Sequence, residues 1–109
     1  SDNRVDYPDF AVKVGKDVQS GAAERGVLVC GTGIGMAMAV SKMEGIRAAN
    51  VVRRDFAVLC REHNDANVIT LSGRFVSLED NESILDAFIA TEFAGGRHAG
   101  RVEKINALD

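Results

Sequence analysis

Gly26-Val27-Leu28-Val29-Cys30-Gly31-Thr32-Gly33-Ile34-Gly35 joins an apolar run to a cysteine, then to alternating glycines around Thr32. The run is short and carries no polar side chain before Cys30, as expected of a parallel strand covered on both faces. The Ala- and Met-rich stretch Ile34 to Lys42 then reads as a helix. A strand that delivers a thiol to a glycine loop at a helix start has two readings. One is a tight turn beside a small buried cysteine. The other is a ligand site, because bare N–H groups there bind anions and the thiol can act as acid, base or nucleophile. The spacing is neither the GxGxxG nor the GK[ST] nucleotide fingerprint.

Outward from this unit the elements alternate. Tyr7-Pro8-Asp9-Phe10 reads as a helix start, with Asp6 or Tyr7 at the cap. Phe10, Ala11, Val14 and Val18 form its apolar face, and Gly21 and Gly26 bracket its exit. Ile46 to Val52 reads as a second strand and Arg53 to Glu62 as a second helix. Val68 to Leu71 is a third strand, and Ser77-Leu78-Glu79-Asp80 resembles a capping box with Asp in place of Glu. The helix it opens carries Ile84, Leu85, Phe88 and Ile89; Gly95-Gly96 breaks the chain, and Arg97 to Leu108 is helical. Alternation of this kind implies βαβ units and a parallel sheet in one α/β domain. Three strands make a thin sheet. Either an upstream strand is missing or a partner chain completes the core.

Composition narrows the function classes. A 109-residue chain with 46% hydrophobic residues is one globular domain rather than a disordered segment. Its net charge of −3 speaks against nucleic-acid binding. No apolar stretch approaches a membrane span. Two cysteines without a disulfide framework suit a reducing, cytoplasmic setting. The chain opens on Ser1-Asp2-Asn3-Arg4 without a signal peptide or an initiator methionine, as a processed form or a piece of something longer would.

Two further clusters could carry chemistry. In Arg61-Glu62-His63-Asn64-Asp65-Ala66-Asn67, Asn and Asp suit a capping turn and His63 a helix end. The same residues suit a polar active-site edge, where His63 exchanges protons near neutrality. In Gly95-Gly96-Arg97-His98-Ala99-Gly100-Arg101, Arg97 and Arg101 are spaced i, i+4. They form either a solvated basic face or a clamp for one phosphate. Cys60 and Met36, Met38 and Met43 read as packing residues.

Taken together, the motifs are specific. Val5-Asp6-Tyr7-Pro8-Asp9, the Cys30 loop, Gly45-Ile46-Arg47-Ala48-Ala49, His63-Asn64-Asp65-Ala66-Asn67 and Gly95-Gly96-Arg97-His98-x-x-Arg101-Val102 follow one another in order. The chain resembles, over nearly its whole length, the ribose-5-phosphate isomerase B family, which includes the galactose-6-phosphate isomerase subunits. The resemblance implies a three-layer α/β/α fold with a parallel, Rossmann-like sheet, and an aldose–ketose isomerase acting through an enediolate. It implies that Cys30 moves the proton between C1 and C2, and that Gly31, Thr32, Gly33 and Gly35 steady the enediolate. His63 would open the sugar ring, Asn64 bind sugar oxygens, and Arg97 and Arg101 hold the phosphate. Some members use a glutamate after the loop as base; Met36 stands there, as in the cysteine branch. No metal or organic cofactor is implied. The expected partners are a phosphorylated sugar and at least one further copy of the chain sharing the active site. Two departures stand out: the family's first strand and helix, with an Asp-His pair, precede the point where this chain starts, and Ser41 replaces a usual Asn. The alternatives are a galactose-6-phosphate isomerase subunit and a non-catalytic relative that binds phosphosugar or a partner chain.

Overall fold

Residues 6–109 are described by a computed structural model; Ser1 to Arg4, and the Val5 of the opening motif, lie outside the described residues. The order is α1 (Tyr7–Ser20), β1 (Gly26–Cys30), α2 (Ile34–Ser41), β2 (Ala48–Asn50), α3 (Arg54–Glu62), β3 (Val68–Ser72), α4 (Leu78–Ala90) and α5 (Arg97–Asn106). The three strands form a parallel sheet in the order β1-β3-β2. Helices cover both faces, giving the three-layer α/β/α arrangement.

Strand β3 is central and buried along its whole length, as its all-apolar start predicts. Alternation across the pleat sends Val68 to one core, with Ala11, Leu28, Met36, Val40 and Ile46 under α1 and α2. Ile69 and Leu71 enter the other, with Val51, Ala57, Ile84 and Phe88 under α3 and α4. Ser77 Oγ accepts from Asp80 N at 3.1 Å, so the serine half of the expected capping box forms.

Three details differ from the sequence reading. Strand β2 is shorter than Ile46–Val52, because Ile46 N–H turns back to Met43 O and Arg47 N–H bonds the Asn67 side chain. Phe10 is half-exposed, because the small residues Ala11 and Gly15 face α2. A side chain at Gly15 would meet the end of the Met43 side chain and come within 3.2 Å of Val40, so α1 and α2 pack closely at this glycine. Gly26 is the first residue of β1 rather than a helix exit; its N–H donates to Asn67 O at 2.8 Å, and a Cβ there would meet Val14 at 2.6 Å.

The outer edge of β1 has no strand beside it among the described residues. Next to it, Val27, Val29, Leu71, Val76 and Leu85 line an apolar groove of about 300 Å³. Val29 is 55% exposed, although its type and position in β1 suit a core. Buried Asn81 Oδ1 at the same groove has no hydrogen-bond partner among the described residues.

The turn after α3 is held by ion pairs. Asp65 adopts φ 50, and its carboxylate accepts from Arg61 Nη1 at 2.8 Å and Arg47 Nη2 at 3.2 Å. Arg61 is buried and also donates to Ala66 O and Thr91 O. Asp65→Ala would leave this buried guanidinium with carbonyl partners but no carboxylate, and put alanine in the left-handed region. The expected loss is about 3 kcal/mol in urea unfolding. Asp65→Asn, which tolerates the backbone, should lose less. An unchanged midpoint for Asp65→Ala would contradict this role.

Candidate active site

Cys30 is the last residue of β1, at the carboxyl end of the sheet, where open α/β folds bind ligands. Its sulfur accepts the Gly33 N–H at 3.1 Å. Thr32 Oγ1 accepts the Ile34 N–H at 3.1 Å, and Gly31 and Thr32 are exposed to solvent. Gly33 is the N-cap of α2 at φ 87, and a Cβ there would lie 2.5 Å from Asn50 Oδ1 and 3.0 Å from Leu71 O. Glycine is required there both by φ and by space. The loop thus gathers the thiol, the Thr32 hydroxyl and a run of backbone N–H groups at one strand end.

Five residues that were not candidates for the site hold this loop. Ser72 Oγ donates to Gly31 O at 2.6 Å, and Gly73 N–H donates to Cys30 O at 2.8 Å. Thr70 Oγ1 donates to Asn50 Oδ1 at 3.1 Å, which fixes the side chain packed against Gly33. The Tyr7 ring lies against Gly35, where a Cβ would come within 2.8 Å of it. Asn50 and Ser72 could have been found from their place at strand carboxyl ends. Tyr7 could not, because it comes from another helix.

His63 and Asn64 lie elsewhere. Helix α3 starts after the carboxyl end of β2 and runs back to the amino end of the sheet, where Val68 opens β3. His63 is its C-cap and Asn64 is exposed just beyond. Gly95 and Gly96, at φ 67 and 56, then turn the chain into α5. The Ala94 N–H donates to Glu62 O at 3.1 Å, which brings Arg97, His98 and Arg101 to the same end. Arg97 and Arg101 are exposed, and among the described residues no carboxylate pairs with either. Loss of surrounding water and the positive charges of His63, Arg97 and Arg101 hold the His98 pKa below its ordinary 6.5, with Glu62 opposing. One copy therefore gathers Cys30, Thr32 and the loop at one end of the sheet, and His63, Asn64, Arg97 and Arg101 at the other.

Cys60 behaves as the core residue its sequence context suggests. Burial pushes its thiol up to about 11 despite Arg61 beside it, so it stays protonated at neutral pH. It lines a 470 Å³ cavity with Asn64, Ala48 and Ile105, away from Cys30. No helix among the described residues is long and apolar enough to cross a membrane.

A glycine loop behind Cys30, a His-Asn turn and an Arg-His-x-x-Arg helix start make a distinctive set. The model of the ribose/galactose isomerase family matches residues 1–105. The chain belongs to this family. A probable ribose-5-phosphate isomerase B of Mycoplasma pneumoniae is 48% identical over 104 residues, covering 95% of this chain and 68% of that protein. Ribose-5-phosphate isomerase B of Escherichia coli is 42% identical over 109 residues, covering all of this chain and 73% of that one. The crystal structure of ribose-5-phosphate isomerase B from Mycoplasma genitalium with bound ribulose-5-phosphate superposes with a TM-score of 0.92 at 44% identity, covering 98% of this chain and 71% of that one. Membership makes the chain an isomerase, and it shares its fold with these solved relatives.

Proposed function

We propose that the protein interconverts ribose 5-phosphate and ribulose 5-phosphate. The observation that carries this reading is the likeness to the Mycoplasma genitalium enzyme that holds ribulose-5-phosphate. In the proposed reaction His63 assists opening of the sugar ring. The Cys30 sulfur then takes the proton from C2 of the open aldose. The C–H electrons form the C1–C2 double bond, and negative charge passes to the carbonyl oxygen at C1. The N–H groups of Gly31, Gly33 and Gly35 and the hydroxyl of Thr32 stabilise this enediolate; donors fixed in advance cost no reorganisation as charge develops. The hydroxyl proton passes from O2 to O1, Cys30 returns its proton to C1, and the C2 carbonyl forms. Asn64 binds sugar oxygens. Arg97 and Arg101 hold the phosphate, whose binding energy orients carbons remote from it.

A site that uses both Cys30 and His63 needs two copies of the chain, because they stand at opposite ends of one sheet. Helix α2 supports such a partner. It is apolar on every side, and Ile34 and Met38 stay 48% and 65% exposed next to the loop. We also propose that the open edge of β1, its apolar groove and the unpaired Asn81 Oδ1 receive a further strand and helix.

The test is conversion of ribose 5-phosphate in deuterated water, followed by NMR. Ribulose 5-phosphate should accumulate and deuterium should enter at C2 of the aldose. Turnover of galactose 6-phosphate in its place would move the assignment to that substrate, and no turnover of either would overturn it. Replacing both Arg97 and Arg101 by alanine should raise KM about 100-fold, as expected from losing charge-assisted hydrogen bonds to phosphate. An unchanged KM would remove the phosphate from α5.

A further inference from the structure

His98 has no role in the reaction as proposed, yet its ring stacks directly on that of His63. The two rings stack with centroids 4.2 Å apart and planes 15° from parallel. His63 ends α3 and His98 is the second residue of α5, so the stack joins two helices that approach through the Gly95-Gly96 turn. The His98 N–H donates to Gly95 O at 3.1 Å, which anchors the backbone beneath the ring. Both rings are half-exposed, and among the described residues no hydrogen bond is made to either ring. Packing against His98 is then the contact that sets the plane of the His63 imidazole.

We propose that His98 is a positioning residue that holds the His63 imidazole in its working orientation by stacking on it. The proposal rests on the reading of His63 as the ring-opening group. A proton donor or acceptor is effective only when its lone pair and N–H meet the substrate along a defined line, so a loose ring costs rate rather than affinity. The charged neighbours favour a neutral stack: His63, Arg97 and Arg101 would all repel a charged His98, against the single opposing charge of Glu62. A neutral aromatic ring should therefore serve as well as histidine does at neutral pH, which gives a variant that separates stacking from titration.

The experiment compares the protein with its His98→Phe and His98→Ala variants, in NMR spectra of the His63 ring protons and in steady-state isomerisation of ribose 5-phosphate. Stacking displaces the His63 ring signals upfield. That displacement should persist in His98→Phe and vanish in His98→Ala. The alanine variant should lose about tenfold in kcat with KM changed less than about twofold, and phenylalanine should restore most of the rate. His63 signals and kcat that are indifferent to His98→Ala would overturn the proposal, as would a folded His98→Phe protein that keeps the ring shift but not the rate. If His63→Ala itself retains full activity, the ring-opening assignment fails instead, and the ring-proton shifts still decide whether the stack exists.

Discussion

Cys30→Ala is expected to lower kcat for ribose 5-phosphate by about 10³-fold, the scale of removing a positioned general base. The sulfur sits at the strand end, half-buried, with the Gly33 N–H 3.1 Å away. Nothing else in the loop can take a carbon-bound proton: Thr32 is a hydroxyl, and Met36, just beyond it, carries no base. Deuterium entry at C2 should fall with the rate, because one group performs both. Cys30→Ser should be nearly as slow, since a hydroxyl is a far weaker base at neutral pH. The fold should survive, because β1 pairs through its backbone and Cys30 lies at the margin of its core. Circular dichroism should therefore show an unchanged structure. A Cys30→Ala protein within tenfold of the parent rate would assign proton transfer to another group.

Much of this was legible in the chain because it is local. Val27 to Cys30, the glycine loop, Ser77 at its helix start and the Gly95-Gly96 break all follow from side chains acting on their own backbone. The parallel sheet follows from alternation, and its thinness reappears as the open edge of β1 beside exposed Val29. What escaped depends on distant partners. Phe10 looked like core until Ala11 and Gly15 took the contact with α2. Strand β2 looked longer because a sequence cannot show that the Asn67 side chain takes the Arg47 N–H. Tyr7 against Gly35 and Asn50 against Gly33 are meetings of residues 28 and 17 positions apart. The candidate residues themselves were identifiable from motif and family likeness, but not their separation into two groups, since that follows from the direction in which α3 runs.

This separation carries the second large effect. A protein lacking Cys30 and a protein lacking His63 should each be nearly inactive. In an assembly that shares its sites, a mixed dimer of the two joins the intact His63 end of one chain to the intact Cys30 end of the other. One of its two sites is then whole, while the other has lost both groups. Random pairing makes half of the dimers mixed, so about a quarter of the parent activity should return. A site contained within one chain cannot regain activity this way, because every copy carries a defect.

Co-expression of Cys30→Ala and His63→Ala chains, with the rate of ribose 5-phosphate isomerisation measured on the purified mixture, is therefore the most direct test. Recovery to about a quarter of the parent rate is the expected result. A mixture no faster than the better of the two variants would contradict a site built from two copies.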